Sequence, residues 1–288
     1  MSAVSLPKPA GWFLTIVLFG VPGAIFWWLF HVIGPTLRHN GFSWWSVFQV
    51  LLVVPLGVLL LTTYLCVRAE APSASWNAWT RRLRLVAPDM PAWFWAIALC
   101  GFMHGGNWED AIAIVAAYFA LWSERTRRIW MYAAVLIAVL LKRYLYLIEP
   151  MLREVTFFQP AGFHQEFFGH FGPTDFMGIP LIGAWWVLFY YCVWLIVLNI
   201  LGEELWWRGY VLPRQELVFG RGTWAIHGLC WSLFHLFLQP SLWDTVRMTV
   251  TGMALAFVAQ RTRSTWPGII GHGVANTPLL LSIGSGLT

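Results

Sequence analysis

Long apolar runs, each closed by a short polar or proline-bearing break, repeat along almost the whole chain. An α-helix needs roughly 20 residues to cross a bilayer core of about 30 Å, and the runs from about Gly11 to Ile33 and from about Trp44 to Val67 are long enough. They predict two membrane helices joined by the turn Gly34 to Ser43. The next stretch, Arg68 to Pro91, is polar and proline-bounded. Within it Trp76, Trp79, Leu83 and Val86 stand against Arg81, Arg82 and Arg84, which predicts an amphipathic helix lying on the membrane surface. A solvated basic loop is the alternative. Residues Ala92 to Trp122 are broken by His104-Gly105-Gly106-Asn107-Trp108-Glu109-Asp110, and another span is predicted at Ile129 to Ile148. From Glu149 to Gly178 the chain is polar and rich in Phe, Gly and Pro, which reads as an external loop or cap. The last third predicts a helix from about Pro180 to Leu212, a loop from Pro213 to Trp224, and helices at Ala225 to Leu238 and Val246 to Gln260. A basic turn, Arg261-Thr262-Arg263, leads to a final helix from about Pro267.

The positions of the charges help to decide the topology. If residues 92–122 form a short helical hairpin, the arginines at 68–84, 125–128, 208–221 and 261–263 fall on one side. The acid-rich segments around Glu109, Glu149 to Asp175 and Asp244 then fall on the other. A single pass would break that segregation, so the hairpin is preferred and the basic, cytoplasmic side also holds the N-terminus. The predicted fold is all-α: a polytopic transmembrane bundle of about eight or nine helices, with the hairpin and the interfacial helix as additions. Residues 1–178 supply N-terminal spans, the interfacial segment and the external loop, and residues 179–288 the remaining helices of one continuous membrane domain.

Composition agrees with the pattern. Hydrophobic residues make up 59% and charged residues only 11% of the chain, where soluble domains carry about a quarter charged. This is the profile of an integral, multi-pass membrane protein, and the cytoplasmic membrane of a prokaryote is the expected location. The net charge of +5 sits in short loops beside spans, as topology signals do, so a nucleic-acid partner is not expected. Cys66, Cys100, Cys192 and Cys230 lie singly in apolar runs with no CxxC spacing, so neither a disulfide framework nor a thiolate metal site is indicated. No stretch specifies an oligomeric state.

Against this background Glu203, Glu204 and Arg208 stand out inside an apolar helix, since an ionised group near the bilayer centre costs at least a few kcal/mol. Glu204 and Arg208 are four apart, acid first, and can pair on one face. Glu203 points about 100° away and is left without a local partner. A purely structural ion cluster is the competing explanation. Helix rise puts Glu203 and His235 each about 15 Å in from the basic side, and His272 and Asn276 about 8–14 Å in from the same side. Three distant helices thus bring an acid, two imidazoles and an amide to similar depth. A carboxylate with an imidazole can hold and deprotonate a water, while imidazole and amide N–H groups can stabilise an oxyanion. No GxSxG or cysteine–histidine pattern competes with that inventory. His227 lies on the face of His235 and is read as packing, with lining the entrance as the alternative. The spacing of His164, Glu166 and His170 does not suit zinc.

At these residues the chain resembles the CPBP intramembrane proteases, which include the type II CAAX prenyl endopeptidases. The three motifs occur in order as Glu203-Glu204-Leu205-Trp206-Trp207-Arg208, Trp231-Ser232-Leu233-Phe234-His235 and His272-Gly273-Val274-Ala275-Asn276. The resemblance covers roughly Ile179 to Leu281, and Trp231 stands where that family usually has Phe. It implies a glutamate-dependent intramembrane endopeptidase acting on a membrane-anchored peptide or protein. Glu203 would be the general base, His235 would help to activate water, His272 and Asn276 would form the oxyanion site, and Glu204, Arg208 and Trp231 would support them. Zinc held by Glu203, His235 and His272 is the alternative. A metal-free site is preferred, because the sequence offers no acidic second shell to offset the ion's charge. A non-catalytic immunity or scaffold protein of the same fold and a proton-coupled transporter are the competing functions. The transporter would need broken helices in two matching halves, which the crowding of polar residues into the last third does not suit.

Overall fold

The computed structural model describes residues 7–72, 75–87, 147–155, 162–239 and 241–288. The expected hairpin at 92–122 and most of the span expected at 129–148 lie outside the described residues. The described residues are mainly helical, and among them three stretches are long and apolar enough to cross a membrane: Trp12–His39, Trp44–Glu70 and Trp185–Phe234. The first two are α1 and α2. A short helix α3 (Trp76–Arg82) and helical residues 147–154 (α4) precede α5 (Phe163–Gly169). A small ladder follows, β1 (Asp175–Phe176) antiparallel to β2 (Ile179–Pro180). The third stretch comprises α6 (residues 185–219) and α7 (Thr223–Phe234), linked by the turn Gly220–Gly222. Then come α8 (Leu242–Thr262), α9 (Trp266–Ala275) and α10 (Thr277–Ser285).

Several boundaries differ from the sequence pattern, and proline chemistry explains most of them. The sequence pattern ends helices at about Ile33 and Leu212, yet α1 and α6 run on through Pro35 and Pro213. Widened, π-type turns lie just ahead of Pro35, Pro55 and Pro213, at Leu29–Ile33, Gln49–Val53 and Leu205–Val211. A wider turn moves the preceding carbonyls off the pyrrolidine ring and absorbs the missing N–H, so the helix survives. The expected loop from Pro213 is therefore helical up to Phe219. At its other end α6 begins at Trp185, because Ile179 and Pro180 pair with β1.

The surface is apolar where a bilayer would touch it: Phe13 is 82% and Phe189 72% exposed. The buried core is dominated by aromatics, including Phe30, Phe48, Phe167, Tyr191 and Trp207. Among the described residues α7 and α8 pack backbone to backbone: a side chain on Gly228 would collide with the backbone of Met253. Small residues at such a crossing let two backbones pack in a medium that offers no hydrophobic driving force.

The polar ends are tied down by ion pairs. At the basic end Glu70 accepts from Arg82 and Arg214, each at 2.5 Å, and from the Tyr210 hydroxyl at 2.8 Å. Arg84 makes a two-pronged pair with Glu216 at 2.7 and 2.6 Å. The N-terminal segment reaches the same end, with Ala10 N–H donating to the Arg214 carbonyl at 2.9 Å. The basic segment after α3 is not free: Leu83 is buried, and the hydroxyls of Thr265 and Ser264 donate to the carbonyls of Leu83 and Val86. Trp76, 75% exposed, and Val86, 49% exposed, project as interfacial residues would. At the opposite end α5 and the β ladder pack beside Trp44.

Candidate active site

The motif residues converge around one cavity of about 290 Å³, lined among others by Asn199, Glu203, Trp231, His235, His272 and Asn276. Glu203 comes from the middle of α6, and both of its oxygens are engaged. Oε1 accepts from Asn199 Nδ2 at 3.1 Å and Oε2 from the Trp231 indole N–H at 3.2 Å. The expectation that Glu203 lacks a local partner is thus corrected. Asn199 stands one turn earlier on α6, at the i,i+4 spacing that puts two side chains on one face. Oε2 also lies 3.5 Å from His235 Nε2.

His235 does not sit inside a helix, as the pattern suggested, but caps the end of α7. The helix stops at Phe234, and His235 N–H bonds to the Ser232 carbonyl in the tight turn that follows. Its ring Nδ1 is 2.8 Å from the Trp231 carbonyl. A carbonyl only accepts, so Nδ1 carries the hydrogen and Nε2 is the nitrogen presented to Glu203. One residue, Trp231, therefore orients both partners: its indole holds the carboxylate and its carbonyl sets the imidazole tautomer. Its ring also covers the Arg208 guanidinium, with Cζ 4.5 Å from the ring centroid. Phenylalanine would supply the ring and the carbonyl but not the N–H.

Glu204 and Arg208 pair as expected, at 2.9 Å and fully buried. The same Glu204 oxygen also reaches His272 Nδ1 at 3.0 Å, a contact that spans 68 residues of sequence. Glu204 thus does more than brace Arg208: it fixes the ring orientation of His272 and leaves His272 Nε2 on the other side of the ring. Asn276 lies where α9 gives way to α10, and its Nδ2 donates to the His272 carbonyl at 3.0 Å. One of its two amide hydrogens is thereby committed and one remains. His227 is fully buried, its Nδ1 2.6 Å from Gln215 Oε1 and its ring edge-on to Phe19. It belongs to packing, as expected, and is not among the residues lining the cavity.

The donor set fits a metal poorly. Among the described residues no three His, Cys, Asp or Glu side chains are grouped to hold an ion. Both Glu203 oxygens already accept hydrogen bonds. The premise that no acidic second shell exists is corrected, since Glu204 touches His272, but its charge is matched by Arg208.

Fold and site together define a polytopic helical membrane protein with a buried acid–imidazole centre. Residues 184–278 match the family model described as type II CAAX prenyl endopeptidase, Rce1-like, a region that includes every motif residue above. The match extends over roughly a third of the chain, and it is this region that is similar to a CAAX protease-like family. Comparison with curated proteins and with solved structures gives no match.

Proposed function

We propose that the chain is an intramembrane endopeptidase of glutamic type, which hydrolyses a peptide bond in a membrane-anchored peptide or protein without a metal ion. The observation that carries this reading is the 3.5 Å separation of Glu203 Oε2 and His235 Nε2 at the wall of the cavity. Both atoms are acceptors in the tautomer set by Trp231. A water donating one hydrogen to each lies at ordinary hydrogen-bond length from both, and its lone pairs then point away, toward a substrate carbonyl. Glu203 takes the proton as attack proceeds, and passes it through His235 Nε2 to the amine nitrogen as the C–N bond breaks.

The tetrahedral oxyanion falls to His272 Nε2 and the remaining Asn276 N–H. His272 already donates from Nδ1 to Glu204, so donation from Nε2 requires the imidazolium. The four ionic groups then balance, two carboxylates against Arg208 and His272, as a site out of water requires. Preorganised donors of this kind typically contribute about 10²–10³ in rate each.

In this reading the bundle has eight or nine helices and spans the cytoplasmic membrane of a prokaryote. The N-terminus faces the cytoplasm, a placement supported by the contact between Ala10 and the basic Arg214 segment. The purified protein, reconstituted in vesicles and incubated in H₂¹⁸O with membranes from cells lacking it, tests the proposal. New peptide C-termini carrying one ¹⁸O are expected; an absence of new termini, or new termini without label, contradicts water attack.

A further inference from the structure

The helix α5 belongs to the segment read from sequence as an external loop or cap, and its role in the site was not legible there. Phe163, His164 and Phe167 are buried, so α5 is embedded rather than draped over the surface. The Phe163 ring occupies a notch at Gly34 of α1 that any Cβ would fill. His164 Nε2 lies 2.8 Å from the Leu238 carbonyl, in the turn three residues beyond His235. One helical turn after His164 comes Phe168, whose ring is 4.5 Å from the His164 ring centroid to centroid and stacks parallel to Phe30. Phe168 lines the same cavity as Glu203, His235 and His272. A single short helix therefore grips the turn that carries one proposed catalytic imidazole and supplies an aromatic wall to the space where substrate must lie.

We infer that Phe168 is a specificity-determining residue: its ring limits the size of the side chain that can sit beside the scissile bond, so the enzyme favours small residues there. The inference rests on the proteolytic reading above and adds to it a preference for substrates that carry Gly, Ala or Ser at the cut. The wall is rigid because it is set by three contacts of the cap, namely the Phe163 notch, the His164 bond and the Phe30 stack.

Peptide termini mapped in membranes of cells producing wild type, Glu203→Gln, Phe168→Ala and Phe168→Leu test it. Cuts present in wild type and lost in Glu203→Gln define the enzyme's own products, and these should be flanked mainly by small residues. In Phe168→Ala, cuts flanked by Phe, Tyr or Trp should rise by about tenfold or more relative to those flanked by small residues, because pocket size discriminates by about that factor per group. Phe168→Leu should fall between the two. An unchanged size distribution in both variants, with Glu203-dependent cuts still present, overturns the inference. Loss of all such cuts in both variants also overturns it, since a wall residue tunes selection rather than chemistry. Identical termini in wild type and Glu203→Gln would instead overturn the proteolytic reading, and this inference with it.

Discussion

Replacing Glu204 with Gln removes a charge from a pair that is fully buried on both sides. The amide oxygen still accepts one hydrogen bond, but Arg208 keeps its positive charge with no counterion at 2.9 Å, and its Nε and Nη2 are already buried without hydrogen-bond partners. Removing one member of such a pair costs about 3–5 kcal/mol, because the surviving charge stays out of water. At about 2–4 °C per kcal/mol for domains of this size, the melting temperature should fall by roughly 10 °C. Thermal unfolding of the purified variant in detergent, followed by intrinsic fluorescence, measures it. The double variant Glu204→Gln/Arg208→Met removes both charges and should recover at least half of the loss, since replacing a whole buried pair by apolar groups is close to neutral. A single variant melting within about 2 °C of wild type, or a double variant that is worse than the single one, refutes the account of a coupled buried pair.

Further outcomes follow from the same geometry. Trp231→Phe keeps the ring over Arg208 but removes the N–H that holds Glu203; a hydrogen bond to a charged group contributes about 1.5–3 kcal/mol, so cleavage should slow about 10- to 100-fold with the fold intact. Full rate in that variant would remove the indole from the site. Burial holds His164 below its ordinary imidazole range, the Leu238 bond opposes this, and His31 adds to the lowering while Asp244 offsets it. The unfolded chain then binds the extra proton first as pH drops below about 6.5, so stability is complete above that pH and is lost progressively below it. His164→Gln, which keeps an N–H for Leu238, should flatten that acid limb in melting curves; an unchanged limb would contradict the assignment. Elemental analysis of the purified protein should find far less than one zinc per chain, and a stoichiometric zinc would overturn the metal-free mechanism.

The hydropathy pattern made the helical, membrane-spanning class legible, because a bilayer leaves helices as the main way to bury backbone polar groups. It misplaced helix ends at Pro35 and Pro213, where widened turns let the chain continue, a solution with no signature in apolar periodicity. The motif residues were legible through spacing, and the structure gathers Glu203, His235, His272 and Asn276 at one cavity. What spacing could not show was the cross-chain wiring. Glu204 reaches His272 only through the approach of α9, and the Trp231 hydrogen bond to Glu203 depends on how α7 crosses α6. Asn199 was available in principle, as an amide one turn before a buried acid. Phe168 carried no signal, since one more phenylalanine in a Phe-rich segment says nothing until the cap is seen to reach the cavity.

The most direct measurement is a comparison of peptide termini in membranes from cells carrying wild type and Glu203→Gln, with both proteins shown to be folded and equally abundant. Glu203 faces a cavity, is bonded by Asn199 and Trp231, and lies 3.5 Å from His235. A set of termini present with wild type and missing with Glu203→Gln is the predicted result. An identical set in the two membranes would contradict the claim that this carboxylate drives hydrolysis.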